Sequence, residues 1–130
     1  MRSLFPVATI IILGLLLLSF PDGSRAKGKC STKDLAITQS FTGRRPNGIP
    51  IYSVEIANLC AAGCPISNIH LHCGAFSSST LINPNQFKRI AIDDCLINNA
   101  KPLAQGKVIS FTYTTNFMHP LAVKSAKITC

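Results

Sequence analysis

Six cysteines in a chain of 130 residues constrain this protein more than any other feature. Three of them lie close together, at Cys60, Cys64 and Cys73. An even number of cysteines in a small secreted domain indicates a disulfide framework, which stabilises domains whose hydrophobic core is small. Six thiols allow fifteen pairings, and their spacing does not choose among them. We therefore expect all six to form disulfides: Cys30, Cys60, Cys64, Cys73, Cys95 and Cys130.

The N-terminal segment is consistent with the oxidising compartment that disulfides require. An almost wholly apolar run from Leu4 to Leu18 follows a basic residue, and Ser24 and Ala26 supply the small residues preferred by signal peptidase. A membrane anchor is the alternative, but a spanning helix needs about 20 apolar residues and this run is shorter. The sequence predicts a signal peptide over residues 1–26, a cysteine-rich domain over residues 27–130, and no membrane association after cleavage.

Apolar and polar residues alternate in several short segments of the predicted domain, as in half-buried strands. No stretch keeps helical periodicity long enough to predict a helix. Six or seven strands separated by turn residues indicate an all-β fold, a single small antiparallel β-sandwich or barrel-like domain stabilised by disulfides. Further short buried segments are expected around Cys95, at Phe87, Ile90, Ile92, Leu96 and Ile97. The expected core residues are Leu35, Ile37, Tyr52, Val54, Ile56, Ile69, Leu71, Phe87, Ile109, Phe111, Leu121 and Val123.

Two histidines beside the central cysteines raise a metal alternative. Zinc would use Cys60, Cys64 and Cys73 with His70 or His72, but structural zinc sites usually combine two tight ligand pairs and only one is present. In an oxidising compartment disulfides are favoured, so we expect neither a metal nor a cofactor.

The same histidines share one face of the predicted third strand. Ile69, Leu71 and Cys73 alternate with Asn68, His70 and His72, so the histidines face away from the core. Such a pair is typical of the solvated side of a sheet. The alternative is a partner-facing patch that becomes charged in mildly acidic surroundings, since a free imidazole titrates near pH 6.5.

Catalytic motifs are absent from the sequence. It contains no Gly-x-Ser-x-Gly elbow, no His-Glu-x-x-His pair and no glycine-rich phosphate loop. Asp93 and Asp94 are adjacent, so on a regular strand their side chains would face opposite ways and could not act together on one substrate. We expect no enzyme activity and name no catalytic residues.

The charge of the chain favours an acidic partner. Thirteen Lys and Arg residues stand against five Asp and Glu, for a formal net charge of +8. An acidic polysaccharide such as pectate, a membrane surface or an acidic protein face would suit it. The basic residues are scattered and not interleaved with aromatic residues, so nucleic acid is not expected. The candidate contact residues are two basic pairs and the histidine face: Arg44, Arg45, Lys88, Arg89, His70 and His72.

Several stretches of the predicted domain together resemble the plant TAPETUM DETERMINANT family of secreted cysteine-rich ligands. The resemblance spans nearly all of Cys30 to Cys130, with all six cysteines in place. Ala75 and Met118-His119 depart from the residues expected in two of these motifs. The matching stretches are Ile49–Asn58, Ile69–Ser78, Asp93–Asn98, Ile109–Tyr113 and Pro120–Val123.

The resemblance implies a protein secreted into the apoplast that binds the ectodomain of a leucine-rich-repeat receptor kinase. It also implies a role in anther cell fate, including tapetum formation. Two alternatives remain: a β-sandwich module that binds wall polysaccharide, and a small basic inhibitor or defence protein. Against the first, the chain has no Trp, and Tyr52 and Tyr113 fall on predicted core faces. The oligomeric state is left open.

Overall fold

A computed structural model describes residues 29–130 of the protein, so the predicted signal peptide lies outside the described residues. Seven strands and two single-turn 3₁₀ segments form this part of the chain, and none of its helical segments is long enough to cross a membrane. The strands are β1 (Leu35–Arg44), β2 (Pro50–Asn58), β3 (Ile66–His72), β4 (Phe87–Ala91), β5 (Asp94–Ile97), β6 (Val108–Thr114) and β7 (Ala122–Ile128).

The strands form two antiparallel sheets. One has three strands in the order β1-β2-β6, and the other has four in the order β4-β5-β3-β7. The prediction of an all-β, disulfide-stabilised domain is confirmed, and of the two architectures expected the fold is the sandwich, since the sheets do not close into a barrel.

The core lies between the inward faces of the sheets. Val54, Ile56, Ile69 and Leu71 are fully buried, as the alternation of their strands predicts. Four aromatic rings fill the centre, with centroids 4.5 to 4.9 Å apart in successive pairs; they belong to Phe111, Phe87, Phe76 and Tyr113. The predicted core is confirmed, with five of its members only partly buried against the cluster: Ile37, Tyr52, Ile109, Leu121 and Val123.

Strand β3 contains an irregularity that simple alternation does not predict. Ile66 and Ile69 are both fully buried although three positions separate them. Asn68 adopts a left-handed backbone (φ 51°), and the pairing with β7 shifts register between Ser67 and His70. The bulge reverses the direction of the side chains, so both ends of the strand contribute to the core.

The expectation that Ile90 and Ile92 are buried is wrong. Ile90 is 50 % exposed and Ile92 is 63 % exposed, whereas Phe87 and Ile97 are buried. Strands β4 and β5 form a short hairpin at the edge of the sheet, with a register shift between Arg89 and Ala91. Its outer end therefore extends beyond the area that the opposite sheet covers.

The two ends of the sandwich differ in construction. At one end, called here the cysteine end, Cys30 is bonded to Cys60 and Cys64 to Cys130. The other end, called the loop end, holds four connections that involve residues 45–49, 73–80, 92–93 and 115–121. Each of these bonds joins the ends of two paired strands within one sheet, β1 to β2 in the first case and β3 to β7 in the second.

A buried asparagine joins the two sheets at the cysteine end. Asn58 is fully buried, and its Nδ2 donates to the carbonyl oxygens of Cys64 (3.0 Å) and Leu103 (2.9 Å). Its Oδ1 accepts a hydrogen bond from the N–H of Cys60 (3.0 Å). Through this amide, β2 is joined to the backbone before β3 and to the segment between β5 and β6.

Candidate functional site

The cysteines form three disulfides, as expected from their number. The third bond, Cys73–Cys95, lies inside the four-stranded sheet and joins the end of β3 to β5. Sulfur atoms of Cys30, Cys60 and Cys64 lie within 4.8 Å of one another, but each is already bonded in a disulfide. Cys60, Cys64 and Cys73, the thiols of the zinc alternative, belong to three different disulfides, so this set does not form a metal site.

The outward face of the four-stranded sheet holds two histidine–aspartate pairs side by side. Nδ1 of His70 lies 2.7 Å from a carboxylate oxygen of Asp94, and Nδ1 of His72 lies 2.7 Å from one of Asp93. The expectation that both histidines face away from the core is confirmed. An ionised carboxylate only accepts, so each Nδ1 carries the proton and each ring is held in place by its aspartate.

The expectation that Asp93 and Asp94 face opposite ways is wrong. Asp93 lies in the β4–β5 turn with a left-handed backbone (φ 61°), which breaks the alternation that a regular strand would impose. The N–H of Gly74 donates to its carboxylate (3.0 Å). This hydrogen bond, followed by the contact with His72, holds the pKa of Asp93 below its ordinary value.

These pairs resemble the part of a hydrolase site in which a carboxylate orients a histidine base. Catalysis by that route also needs a nucleophile at the other ring nitrogen. Ser125 is the cross-strand neighbour of His70, but within residues 29–130 no hydroxyl or thiol is hydrogen-bonded to Nε2 of His70 or His72. As the structure stands, the pairs orient two imidazoles toward solvent and do not assemble a catalytic triad.

Lys88 and Arg89, one of the two basic pairs, begin on opposite faces of strand β4. Lys88 lies opposite Leu96, and Leu96 lies opposite His70, so Lys88 shares the outward histidine face. Arg89 lies opposite the buried Cys95, so its Cβ is on the inward face of the sheet. Its side chain is nevertheless exposed, because β4 is an edge strand. The two neighbours therefore do not form a single patch.

The other basic pair lies at the loop end, on the turn between β1 and β2. The guanidinium of Arg44 donates to the carbonyl oxygen of Gly48 (2.9 Å) and lies 5.5 Å from the ring centroid of Phe41. Arg45 is also exposed, and among residues 29–130 neither arginine has a carboxylate partner. This pair is separate from the histidine face.

Exposed apolar side chains accompany these arginines at the loop end. Phe117 is 64 % exposed and Met118 is 41 % exposed. Their segment is fixed to β1 because Gln39 Nε2 donates to the carbonyl oxygen of His119 (2.7 Å). We call the four residues Arg44, Arg45, Phe117 and Met118 the loop-end patch. Its apolar part was not predicted from the sequence, and the unexpected Met118-His119 pair was the one signal that pointed to it.

His119 itself is buried and completes an aromatic cluster. Its ring centroid lies 4.9 Å from that of Phe76 and 5.9 Å from that of Tyr113. Its backbone N–H donates to the hydroxyl of Tyr113 (2.9 Å), and that hydroxyl donates to Gln39 (2.6 Å). Burial lowers the pKa of the ring below its ordinary value. The second residue of the Met118-His119 departure thus lies beneath the surface and supports the loop-end patch from below.

Folding stability should therefore decrease as the solution becomes acidic. A histidine whose pKa is lowered by folding binds a proton more readily when unfolded, so its contribution is complete above its unfolded pKa of 6.5 and is lost as the pH falls below it. The contribution of Asp93 is lost at lower pH, below the ordinary carboxyl pKa of 3.8. Replacing His119 by phenylalanine should flatten the decrease in Tm between pH 7.5 and pH 5.

His72→Gln is the comparison variant, since it removes an exposed imidazole instead of the buried one. Thermal unfolding followed by circular dichroism at several pH values measures both variants. An equal pH dependence in the wild type and in His119→Phe would show that His119 does not titrate on unfolding.

Comparison with known proteins finds one family and several relatives that match this chain. The family described as "Tapetum determinant 1, C-terminal" matches residues 31–130. TPD1 protein homolog 1 of Arabidopsis thaliana is 45% identical over 105 residues, which cover 80% of this chain and 59% of the relative. TPD1 protein homolog 1B of Oryza sativa subsp. japonica is 41% identical over 101 residues, covering 78% and 58%. TPD1 protein homolog 1A of the same rice is 41% identical over 105 residues, covering 76% and 46%.

The chain spans about half the length of these curated relatives, and no solved structure matches it. The family match covers all of the seven strands and all of the cysteines except Cys30. The chain therefore belongs to the tapetum determinant 1 family.

Proposed function

We propose that this protein is an extracellular signalling ligand that binds the ectodomain of a leucine-rich-repeat receptor kinase. The observation that carries the proposal is the loop-end patch, where two arginines with no carboxylate partner among residues 29–130 and two exposed apolar side chains lie at the same end of a disulfide-bonded framework. Arginine, phenylalanine and methionine are enriched in protein interfaces relative to the rest of the surface. An acidic receptor surface with an apolar depression would complement the patch.

The framework suits such a role because it limits the entropy lost on binding. Disulfides hold both sheets at the cysteine end, and the Gln39–Tyr113–His119 hydrogen bonds hold the 115–121 loop against β1. A surface that is ordered before association loses less conformational freedom when it binds. The positive charge speeds encounter with an acidic partner.

The finer part of the proposal rests on the family resemblance. Under this proposal the receptor controls cell fate in the anther, including formation of the tapetum, and the ligand acts after secretion into the apoplast. A small domain with three disulfides is consistent with secretion. We further propose that the protein has no turnover of its own, since neither histidine–aspartate pair is hydrogen-bonded to a nucleophile within residues 29–130.

Removing both arginines of the loop-end patch should slow association with the receptor. Arg44→Ala with Arg45→Ala removes two exposed charges, and exposed substitutions usually change the free energy of unfolding by less than about 0.5 kcal/mol. The association rate should fall several-fold at low salt and lose much of its salt dependence, because steering by charge is screened by ions. Surface plasmon resonance against a panel of leucine-rich-repeat ectodomains, at several salt concentrations, measures the effect.

Lys88→Ala with Arg89→Ala is the control, because it removes the same charge from a different part of the surface. If the control slows association and the arginine variant does not, the receptor contact would be assigned to the histidine face and not to the loop-end patch. If the wild-type protein binds no ectodomain of the panel, the ligand proposal fails.

Binding to acidic wall polysaccharide is the second candidate. The expected placement of Tyr52 and Tyr113 in the core is confirmed, but Phe41 is 53 % exposed and Phe117 is 64 % exposed. Exposed aromatic rings beside arginines could stack on sugars and pair with carboxylates. Titration with pectate in parallel with the ectodomains separates the two candidates: binding to pectate alone would favour this one.

A further inference from the structure

The two sheets have four edge strands, and charged side chains protect two of them against pairing with another chain. β4 carries Lys88 and Arg89, and β7 carries Lys124 and Lys127. Charged side chains, lysine above all, disfavour edge-to-edge association. β6 is covered at its end, where the N–H of Ser79 donates to the carbonyl oxygen of Thr114 (2.8 Å) and Ser78 Oγ accepts from the N–H of Thr114 (3.0 Å).

Strand β1 lacks these protections. It is the longest strand of residues 29–130, and Arg44 at its end is its one charged residue. A long, uncharged edge presents a row of unpaired backbone groups that another strand can use. The absence of charge stands out in a chain with a net charge of +8.

The pairing of β1 with β2 shows which backbone N–H and C=O groups of β1 point away from the sheet. The N–H of Leu59 donates to the carbonyl oxygen of Asp34, so residues 34, 36, 38 and 40 direct their backbone groups toward β2. Ile37, Gln39 and Phe41 then direct theirs away from the sheet. Within residues 29–130 these three N–H groups have no hydrogen-bond partner.

We propose that a second copy of this chain pairs with β1 in antiparallel orientation about a two-fold axis at Gln39. The two sheets would then join into a continuous six-stranded sheet. A two-fold axis makes an interface self-complementary, so the same edge supplies both sides. This proposal does not rest on the proposed function.

The side chains of β1 are compatible with that register. Thr38 would lie opposite Ser40 of the second copy, on the solvent face, without any charge repulsion. Ile37 would lie opposite Phe41 of the second copy, which would cover a ring that is 53 % exposed in the single chain. Arg44 would approach the end of the partner strand where Asp34 lies, so opposite charges meet at both ends.

Charge variants at Thr38 and Ser40 test the proposal, because both side chains are exposed and face away from the core. Replacing both with lysine places like charges directly opposite one another across the axis, and so does replacing both with glutamate. Each variant alone should weaken the dimer by about tenfold or more, whereas an equimolar mixture of the two should restore it as a heterodimer. The protein is purified after secretion from cells that express the whole sequence.

Ser110→Lys with Thr112→Lys is the matched control on the opposite edge of the same sheet. Ser110 and Thr112 pair with Glu55 and Ser53 of β2, the same residues that face Thr38 and Ser40 on the other side. The control should dimerise like the wild type. Circular dichroism and Tm establish that every variant is folded.

Sedimentation velocity across a concentration series measures the dimer, and hydrogen exchange locates it. In the dimer the N–H groups of Ile37, Gln39 and Phe41 should exchange slowly, and in the lysine variant they should exchange rapidly. A wild-type protein that stays monomeric at millimolar concentration would overturn the proposal. So would a lysine variant that dimerises as well as the wild type, or protection of these N–H groups in a monomer, which would mean that another segment of the chain covers the edge.

Discussion

Replacing Asn58 by leucine should lower the free energy of unfolding by about 3 kcal/mol or more, since each buried polar group left without a partner costs about 1–3 kcal/mol. The carbonyl oxygen of Cys64 would lose its donor and the N–H of Cys60 would lose its acceptor, while the carbonyl oxygen of Leu103 would keep the N–H of Ile66 as its one donor. For a domain of this size the Tm should fall by roughly 10–20 °C. The cost is large because the amide is fully buried and water cannot replace it.

Asn116→Leu is the matched control, because Asn116 is exposed in the loop before His119. Thermal and urea unfolding of both variants measure the difference, with the disulfides intact. A Tm for Asn58→Leu within a few degrees of the wild-type value would mean that the backbone groups of Cys60 and Cys64 find other partners, and that the amide does not join the sheets.

Removing the Cys73–Cys95 disulfide should cost about 3 kcal/mol, the magnitude expected for closing a loop of this length in the unfolded chain. The sequence separation is 22 residues, and both cysteines lie in the core with at most 1 % exposure. Replacing both by alanine avoids an unpaired thiol but removes two buried sulfur atoms, which adds a packing loss. We expect little or no folded protein to be secreted at 37 °C.

Cys30→Ala with Cys60→Ala provides the comparison, because that bond involves a cysteine near the start of the described chain and Cys30 is only partly buried. It should be the milder of the two losses. Mass spectrometry of non-reduced peptides verifies that the remaining pairs are unchanged. Equal secretion and Tm for Cys73→Ala with Cys95→Ala and for the wild type would show that the bond contributes nothing to stability.

Much of the fold could be predicted from local patterns. Tyr52, Val54 and Ile56 alternate along β2, and Ile109, Phe111 and Tyr113 alternate along β6; in each strand a period of two directs these residues to one face. The prediction was wrong at Ile90 and Ile92, because apolar character does not reveal whether an opposite sheet extends far enough to cover a hairpin. It also missed the bulge at Asn68, since a left-handed residue in the middle of a strand leaves no periodic signal.

The candidate site was less predictable. The exposure of Arg44 and Arg45 followed from the turn residues after them, but the position of Arg44 against Phe41 depends on the bulge in β1. His70 and His72 were expected on the solvated face, yet nothing in their spacing indicated Asp93 and Asp94, which lie more than twenty residues away. The pairing of β3 with β5 brings them together.

Three properties could be predicted from local sequence: the all-β class, the disulfide-bonded state of the cysteines and most of the buried face of each strand. They follow from composition and from a period of two, which each segment shows independently of its neighbours. Only the folded structure shows which cysteines pair, which aspartate contacts which histidine, and that β1 is an edge strand. Those properties depend on the order of strands in the sheets. Strand order is set by contacts between segments that are distant in sequence, and the local pattern of one strand does not indicate which strand it pairs with.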